Sequence, residues 1–212
     1  MSVENDRILG GIGALLMFLG VIPYINYFGA IELVGLILVM VALYNLASNY
    51  REGGIFNNAL YGLIIGIVGG VISATVIAVA VLSSLTDFLY TIFPDWNGDW
   101  ATLSSLTPNL SNITLSSIMP FITGAIAAFV ILWILSIISA YFIRRSLGML
   151  SAKSGVGLFS TAGLLMLIGA VLIIAVGFGL ILIWISALLL AIAFFRIRTQ
   201  EAQPTTPAAA PA

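Results

Sequence analysis

Residues 156–195 read VGLFSTAGLLMLIGAVLIIAVGFGLILIWISALLLAIAFF, a stretch without a single charged side chain. Its length decides the architecture. A helix rises 1.5 Å per residue, so one continuous helix here would be about 60 Å long, twice the hydrocarbon core of a bilayer. The Gly177-Phe178-Gly179 break supplies the turn. Two crossings, residues 156–175 and 178–195, joined very tightly are therefore expected, with a re-entrant pair as the alternative.

Working outward, four more apolar runs cover residues 8–24, 30–47, 58–85 and 118–142. Roughly 17–25 helical residues span the hydrocarbon. Backbone amides cannot go unpaired in lipid, which makes helices the natural form for such runs, and the alternation of a barrel strand is missing. The expectation is an all-α, polytopic transmembrane bundle of six spans over residues 1–198. The third run is longer than a crossing needs, so tilt or a protruding end is expected.

Composition leads the same way. Of 212 residues, 61% are hydrophobic and 7% charged, and mean hydropathy is +1.20. A soluble domain carries about a quarter charged residues, so there is too little polar surface here to cover a water-exposed globule. The net charge of −1 and the lack of a basic tract exclude a nucleic-acid partner. Cysteine and histidine are both absent, which removes disulfides, thiolate nucleophiles, Cys/His metal sites and imidazole bases. The N-terminal Met1-Ser2-Val3-Glu4-Asn5-Asp6-Arg7 is a poor n-region for a secretory signal, and no A-x-A site follows. The first run is expected to stay as a helix.

Threaded as six spans, the chain places Arg7, Arg51, Arg144, Arg145, Lys153, Arg196 and Arg198, all its basic residues, on one face. Asp87, Asp95 and Asp99 fall opposite. Such a bias orients the basic side and both termini toward the cytoplasm of a multi-pass plasma-membrane protein. Merging the final pair into one span would strand Arg196 and Arg198 outside.

The polar segment 86–117 is the one long outer connection. Trp96 and Trp100, four apart, either share a helix face resting on the membrane or pack locally in a compact loop. Asn109-Leu110-Ser111 and Asn112-Ile113-Thr114 match the glycosylation acceptor pattern. The three nearby aspartates read as solvated side chains before they read as a divalent-cation site. Residues 199–212 cannot bury enough apolar surface to fold alone and are expected to be a disordered tail.

Gly62, Gly66, Gly70, Ala74 and Ala78 recur every fourth residue in the third run. They form a ridge of small side chains for close helix packing, within the chain or with another membrane protein or a second copy. Glu32 is the one acid inside an expected span, near its outer end, with Asn26 just before it. Asn45, Asn57 and Asn58 cluster at the inner end, where a small polar mouth would form. Intramembrane acids of this kind mark pathways, although nearness to the interface also lets Glu32 reach water. Arg144, Arg145 and Lys153 are positive-inside residues that can also hold lipid headgroups. No nucleophile–base pair, phosphate loop or metal-ligand cluster is present, so no catalytic residue, metal or cofactor is expected.

Leu9-Gly10-Gly11-Ile12-Gly13, Leu43-Tyr44-Asn45-Leu46-Ala47 and Ile55-Phe56-Asn57-Asn58-Ala59-Leu60-Tyr61-Gly62 resemble a family of uncharacterised archaeal integral membrane proteins, catalogued as a domain of unknown function. Gly163, Gly169 and Ala193-Phe194-Phe195 resemble its last hairpin. The resemblance implies an archaeal plasma membrane and no activity. Three functional readings compete: a non-enzymatic bundle that organises or regulates membrane components, a small-solute or ion transporter or channel, and, behind these, an intramembrane enzyme, which would require Asp87, Asp95 or Asp99 to converge at the outer surface. A polar cavity at Glu32 would favour transport; a dry, closed interior would favour packing.

Overall fold

Each apolar run becomes a helix, and glycines set many of the ends. A computed structural model describes residues 3–22, 29–175 and 177–198. Among them are six α-helices: α1 Val3–Gly20, α2 Ala30–Asn49, α3 Gly54–Ile92, α4 Leu115–Ser154, α5 Leu158–Leu172 and α6 Phe178–Phe195. Two short 3-10 helices, Trp100–Ser105 and Leu110–Asn112, lie between α3 and α4, and no strand occurs among the described residues. Gly155 closes α4 at φ 72° and Gly177 precedes α6 at φ 84°, conformations that a Cβ would strain. Thr114 starts α4 with a capping box completed by Ser117.

The α6 boundaries are those expected, and α2 ends two residues later than expected. The other helices differ. α1 begins at Val3 and takes in Glu4, Asp6 and Arg7. α3 and α4 reach 39 and 40 residues, because a helix continues past its apolar run wherever one side still packs. Ser146, Leu147 and Leu150 are buried on the inner extension of α4. Four helices, α2, α3, α4 and α6, are long and apolar enough to cross a membrane. α5 is apolar but has 15 residues, about 22 Å, less than a hydrocarbon core.

Helices adjacent in sequence pack side by side, and α1 closes on α6, so the six form a ring. The contact between α2 and α3 is the thinnest. The core sits at the end bearing the basic residues, where Leu43, Leu46, Ile55, Leu147, Leu150, Phe159, Phe194 and Ile197 are buried together. Phe159 and Phe194 meet edge to face, 5.1 Å between centroids. Glycine permits the tightest approaches: a Cβ on Gly35 would meet the Gly13 carbonyl and the Met17 amide, both backbone.

The ring is a step in profile. Trp133 Nε1 donates to the Val171 carbonyl at 3.2 Å, so the α5–α6 turn lies only halfway along α4. Residues 71–92 of α3 and 115–132 of α4 run on for roughly 30 Å as a two-helix ribbon. Large apolar side chains along it, among them Val79, Leu82, Met119 and Ile126, are exposed. At its tip the compact-loop reading holds: Trp96 is buried, rests against Tyr90 and Trp100 at 5.0 and 5.2 Å, and donates from Nε1 to the Asp99 carbonyl at 2.8 Å.

The seam between α3 and α4 follows Gly62, Gly66, Gly69, Ser73 and Ala80, with steps of four, three, four and seven. That is the heptad rhythm of antiparallel helices packed at a shallow angle. Gly62 lies against Ser139 and Ile143, Gly69 against Leu135, and Gly124 against Ala80. The expected four-residue ridge leaves this seam after Gly66. Gly70 has no atom within 4 Å of a built Cβ, and Ala74 and Ala78 are exposed. Four residues advance a helix by about 40° beyond a full turn, so a strict fourth-residue row drifts off any straight contact within two steps.

Candidate functional site

The densest polar chemistry lies at the basic end, at the start of α1. Asp6 is fully buried. Asn45 and Asn49, one turn apart on α2, donate Nδ2 to its two oxygens, each at 2.8 Å. Both amides present their NH₂ ends to the carboxyl oxygens, and hydrogen bonds of this kind offset the cost of burying the group. The position near the α1 N-terminus adds the favourable end of the helix dipole. The adjacent Arg7 donates Nη1 to the Ile197 carbonyl at 3.4 Å, just beyond α6. Asp6 and Arg7 thus tie α1 to α2 on one side and to the end of α6 on the other. With each oxygen bonded to an amide of α2, Asp6 acts as a clasp between the helices.

Around the clasp, the expected polar mouth does not assemble as one unit. Asn45 is drawn to Asp6. Asn58 is buried on α3 and donates to the Gly54 carbonyl at 2.6 Å, with Met149 Sδ at 3.7 Å. Asn57 is exposed. Ser146 Oγ on α4 donates to the Ile55 carbonyl at 2.5 Å, pinning the two long helices at this height. Arg51 takes φ 50° in the α2–α3 turn, and Glu52 pairs with Lys153 at 3.3 Å, a solvent-screened contact worth little by itself. Burial pushes the Tyr50 phenol, at the end of α2, above its usual value. Arg144 and Arg145 are exposed on α4.

The pathway residues stand apart from this cluster. Glu32 is exposed in the first turn of α2, its backbone facing Gly20, and is not among the residues lining the five cavities formed by the described residues. Asn26 lies outside the described residues. Asn109 and Asn112 are exposed near the ribbon tip, with Asn109 Oδ1 accepting from the Ser111 amide at 3.1 Å. Among the described residues no group of three acids is placed to hold a metal ion.

Residues 31–188 match the family described as "Protein of unknown function (DUF996)". The chain belongs to that family. No curated protein and no solved structure matches it. The matched span opens in the first turn of α2 and closes within α6, so this family member carries Asn45 and Asn49 inside the span and Asp6, Arg196 and Arg198 outside it.

Two cavities complete the geometry. An apolar groove of about 460 Å³ runs between α2 and α3, lined by Leu33, Ile37, Met40, Tyr44, Phe56, Leu63 and Ile67 among others, with no polar surface. A polar pocket of about 500 Å³ opens at the basic end between the α4–α5 turn and the end of α6, lined by Ser154, Gly155, Val156, Gly157, Leu158, Arg196 and Arg198. Sequence reading missed Asp6 as a buried group. The signal was there in a carboxylate two residues before an apolar run, but its partners lie some forty residues away. Arg196 and Arg198 were recognised as orienting charges and not as the wall of a pocket.

Proposed function

We propose that this chain is a non-enzymatic component of the membrane, a bundle that organises, assembles with or regulates other membrane constituents. It crosses the bilayer six times with both termini cytoplasmic, in the plasma membrane of an archaeal cell. The observation that carries the reading is that the polar groups found inside the bundle among the described residues are tied up in its packing. The carboxylate inside the bundle, Asp6, has both oxygens bonded to amides, and Glu32 lies away from the cavities. The clustering of Arg7, Arg51, Arg144, Arg145, Lys153, Arg196 and Arg198 at one end supports the orientation. In this reading Arg144, Arg145 and Lys153 lie at headgroup level, lipids are the constant partners, and the exposed apolar ribbon offers a face for other membrane proteins or a second copy.

A transport reading would route solute through the small pocket, about 180 Å³, where Gly66, Ser136 and Ser139 meet α5 and α6. Both hydroxyls there already donate, Ser136 to the Trp133 carbonyl at 2.8 Å and Ser139 to the Gly62 carbonyl at 2.7 Å, so the lining is spent on packing. Flux measurements on proteoliposomes test the choice. Ion and small-solute leakage no faster than from protein-free vesicles is expected, and saturable flux abolished by Glu32→Gln would replace the scaffold with a transporter.

A further inference from the structure

We propose that the polar pocket at the basic end is a binding site for a phosphate-bearing anion, the headgroup phosphate of an anionic lipid or the same group on a soluble molecule. The inference stands apart from the scaffold reading, since a transporter would keep the same pocket.

Three features converge. Arg196 and Arg198, two residues apart just past α6, both line the cavity, and neither has an acceptor among the described residues. Guanidinium groups present forked donors that match phosphate oxygens two at a time. The opposite wall is the glycine-rich turn Gly155-Val156-Gly157 leading into α5. α5 begins at Leu158 without a side-chain cap, and the amides of Gly157 and Leu158 find no acceptor among the described residues. Backbone N–H groups at such a helix start, aided by the dipole, favour negative charge. Finally, none of the lining residues is an acid. The nearby Lys153 is already held by Glu52, so the charge left for a ligand is that of the arginines. The pocket also carries the apolar side chains of Val156 and Leu158, which suit a ligand with a hydrocarbon side. Its size, about 500 Å³, suits a headgroup better than a bare ion.

The test uses the full chain purified in mild detergent and titrated in native mass spectrometry with phosphatidylglycerol, phosphatidylcholine or inorganic phosphate. The expected result is preferential retention of phosphatidylglycerol over phosphatidylcholine. The double variant Arg196→Gln/Arg198→Gln should lose roughly thirtyfold in affinity, the contribution of two arginines at a membrane surface. Arg51→Gln, a basic residue outside the pocket, should bind as the parent does. The charge-keeping variant Arg196→Lys/Arg198→Lys should fall in between, since lysine lacks the fork, and matched melting temperatures confirm that each variant is folded. Inorganic phosphate binding that is lost in the Gln variant would support the site with a soluble source. Equal retention of the two lipids, or phosphatidylglycerol binding unchanged in the Gln variant, would overturn the proposal.

Discussion

Replacing Gly62 by alanine and, separately, Gly70 by alanine distinguishes the seam in the structure from the fourth-residue ridge in the sequence. A Cβ on Gly62 would sit 2.7 Å from Ile143 Cγ1 and 2.9 Å from the Ser139 carbonyl oxygen. Ile143 can change rotamer, but the carbonyl belongs to the α4 backbone and cannot, so the helices must part. Overpacking of this kind costs about 1–3 kcal/mol. Parting also stretches the Ser139–Gly62 hydrogen bond, 2.7 Å long, worth about 0.6 kcal/mol between membrane helices. Alanine returns about 0.5–1 kcal/mol through its better helix propensity, leaving a net loss of about 1–2 kcal/mol. Gly70 has open space around it, so Gly70→Ala feels only the propensity gain. The two variants should differ by about 2–3 kcal/mol, a gap of roughly 5–10 °C for a chain of this size. Thermal unfolding in one detergent, followed by tryptophan emission, reads it directly. If Gly70→Ala proved as damaging as Gly62→Ala, the heptad seam would be wrong and the strict ridge would be the true contact.

Asn45→Leu leaves one buried Asp6 oxygen without its donor and should cost about 2 kcal/mol, with Asn49→Ala costing less because that side chain is exposed; a double-mutant cycle with Asp6→Asn should show coupling, and additive losses would remove the clasp. Burial raises the Tyr50 phenol above its ordinary value of 10.0. A raised pKa in the folded state means that the stability linked to this group is complete below the unfolded value and is lost as pH climbs through the folded one. Alkaline titration of phenolate absorbance should therefore show a late step that Tyr50→Phe removes. Glu32→Gln should leave the melting midpoint within the shift given by about 0.5 kcal/mol, and a larger loss would place this carboxylate in a contact the geometry does not contain.

Periodicity and hydropathy carried much of the fold, because lipid solvation is a one-dimensional demand that a run of residues either meets or fails. Residues 178–195 show this well: the charge-free stretch, its Gly177 break and the arginine after it gave the bounds of α6 to the residue. Helix ends beyond the apolar runs were harder. Nothing in hydropathy says that α4 continues through Arg144 and Arg145 to Ser154, since that extension is held by Ser146, Leu147 and Leu150 against α3 and α5. Asp6 failed for the opposite reason. Its charge argued for solvent, and only the two amides brought in by α2 make burial tolerable. The small-residue ridge follows the α3–α4 seam only as far as Gly66, because the choice between steps of three and four depends on the partner helix.

The difference in height between the long ribbon and the four short helices sets how this molecule meets its surroundings. One flank presents an apolar wall much longer than a hydrocarbon core is thick, while on the other flank α2 and α6 just match that thickness and α5, with 15 residues, falls short of it. Mismatch costs fractions of a kcal/mol per ångström along each flank. In a bilayer crossed by all six helices, the leaflet at the ribbon end would therefore thicken against the ribbon and thin beside the short α5. Two molecules with their low flanks together would share one depression in place of two, giving an attraction carried by lipid deformation that requires no complementary side chains at all.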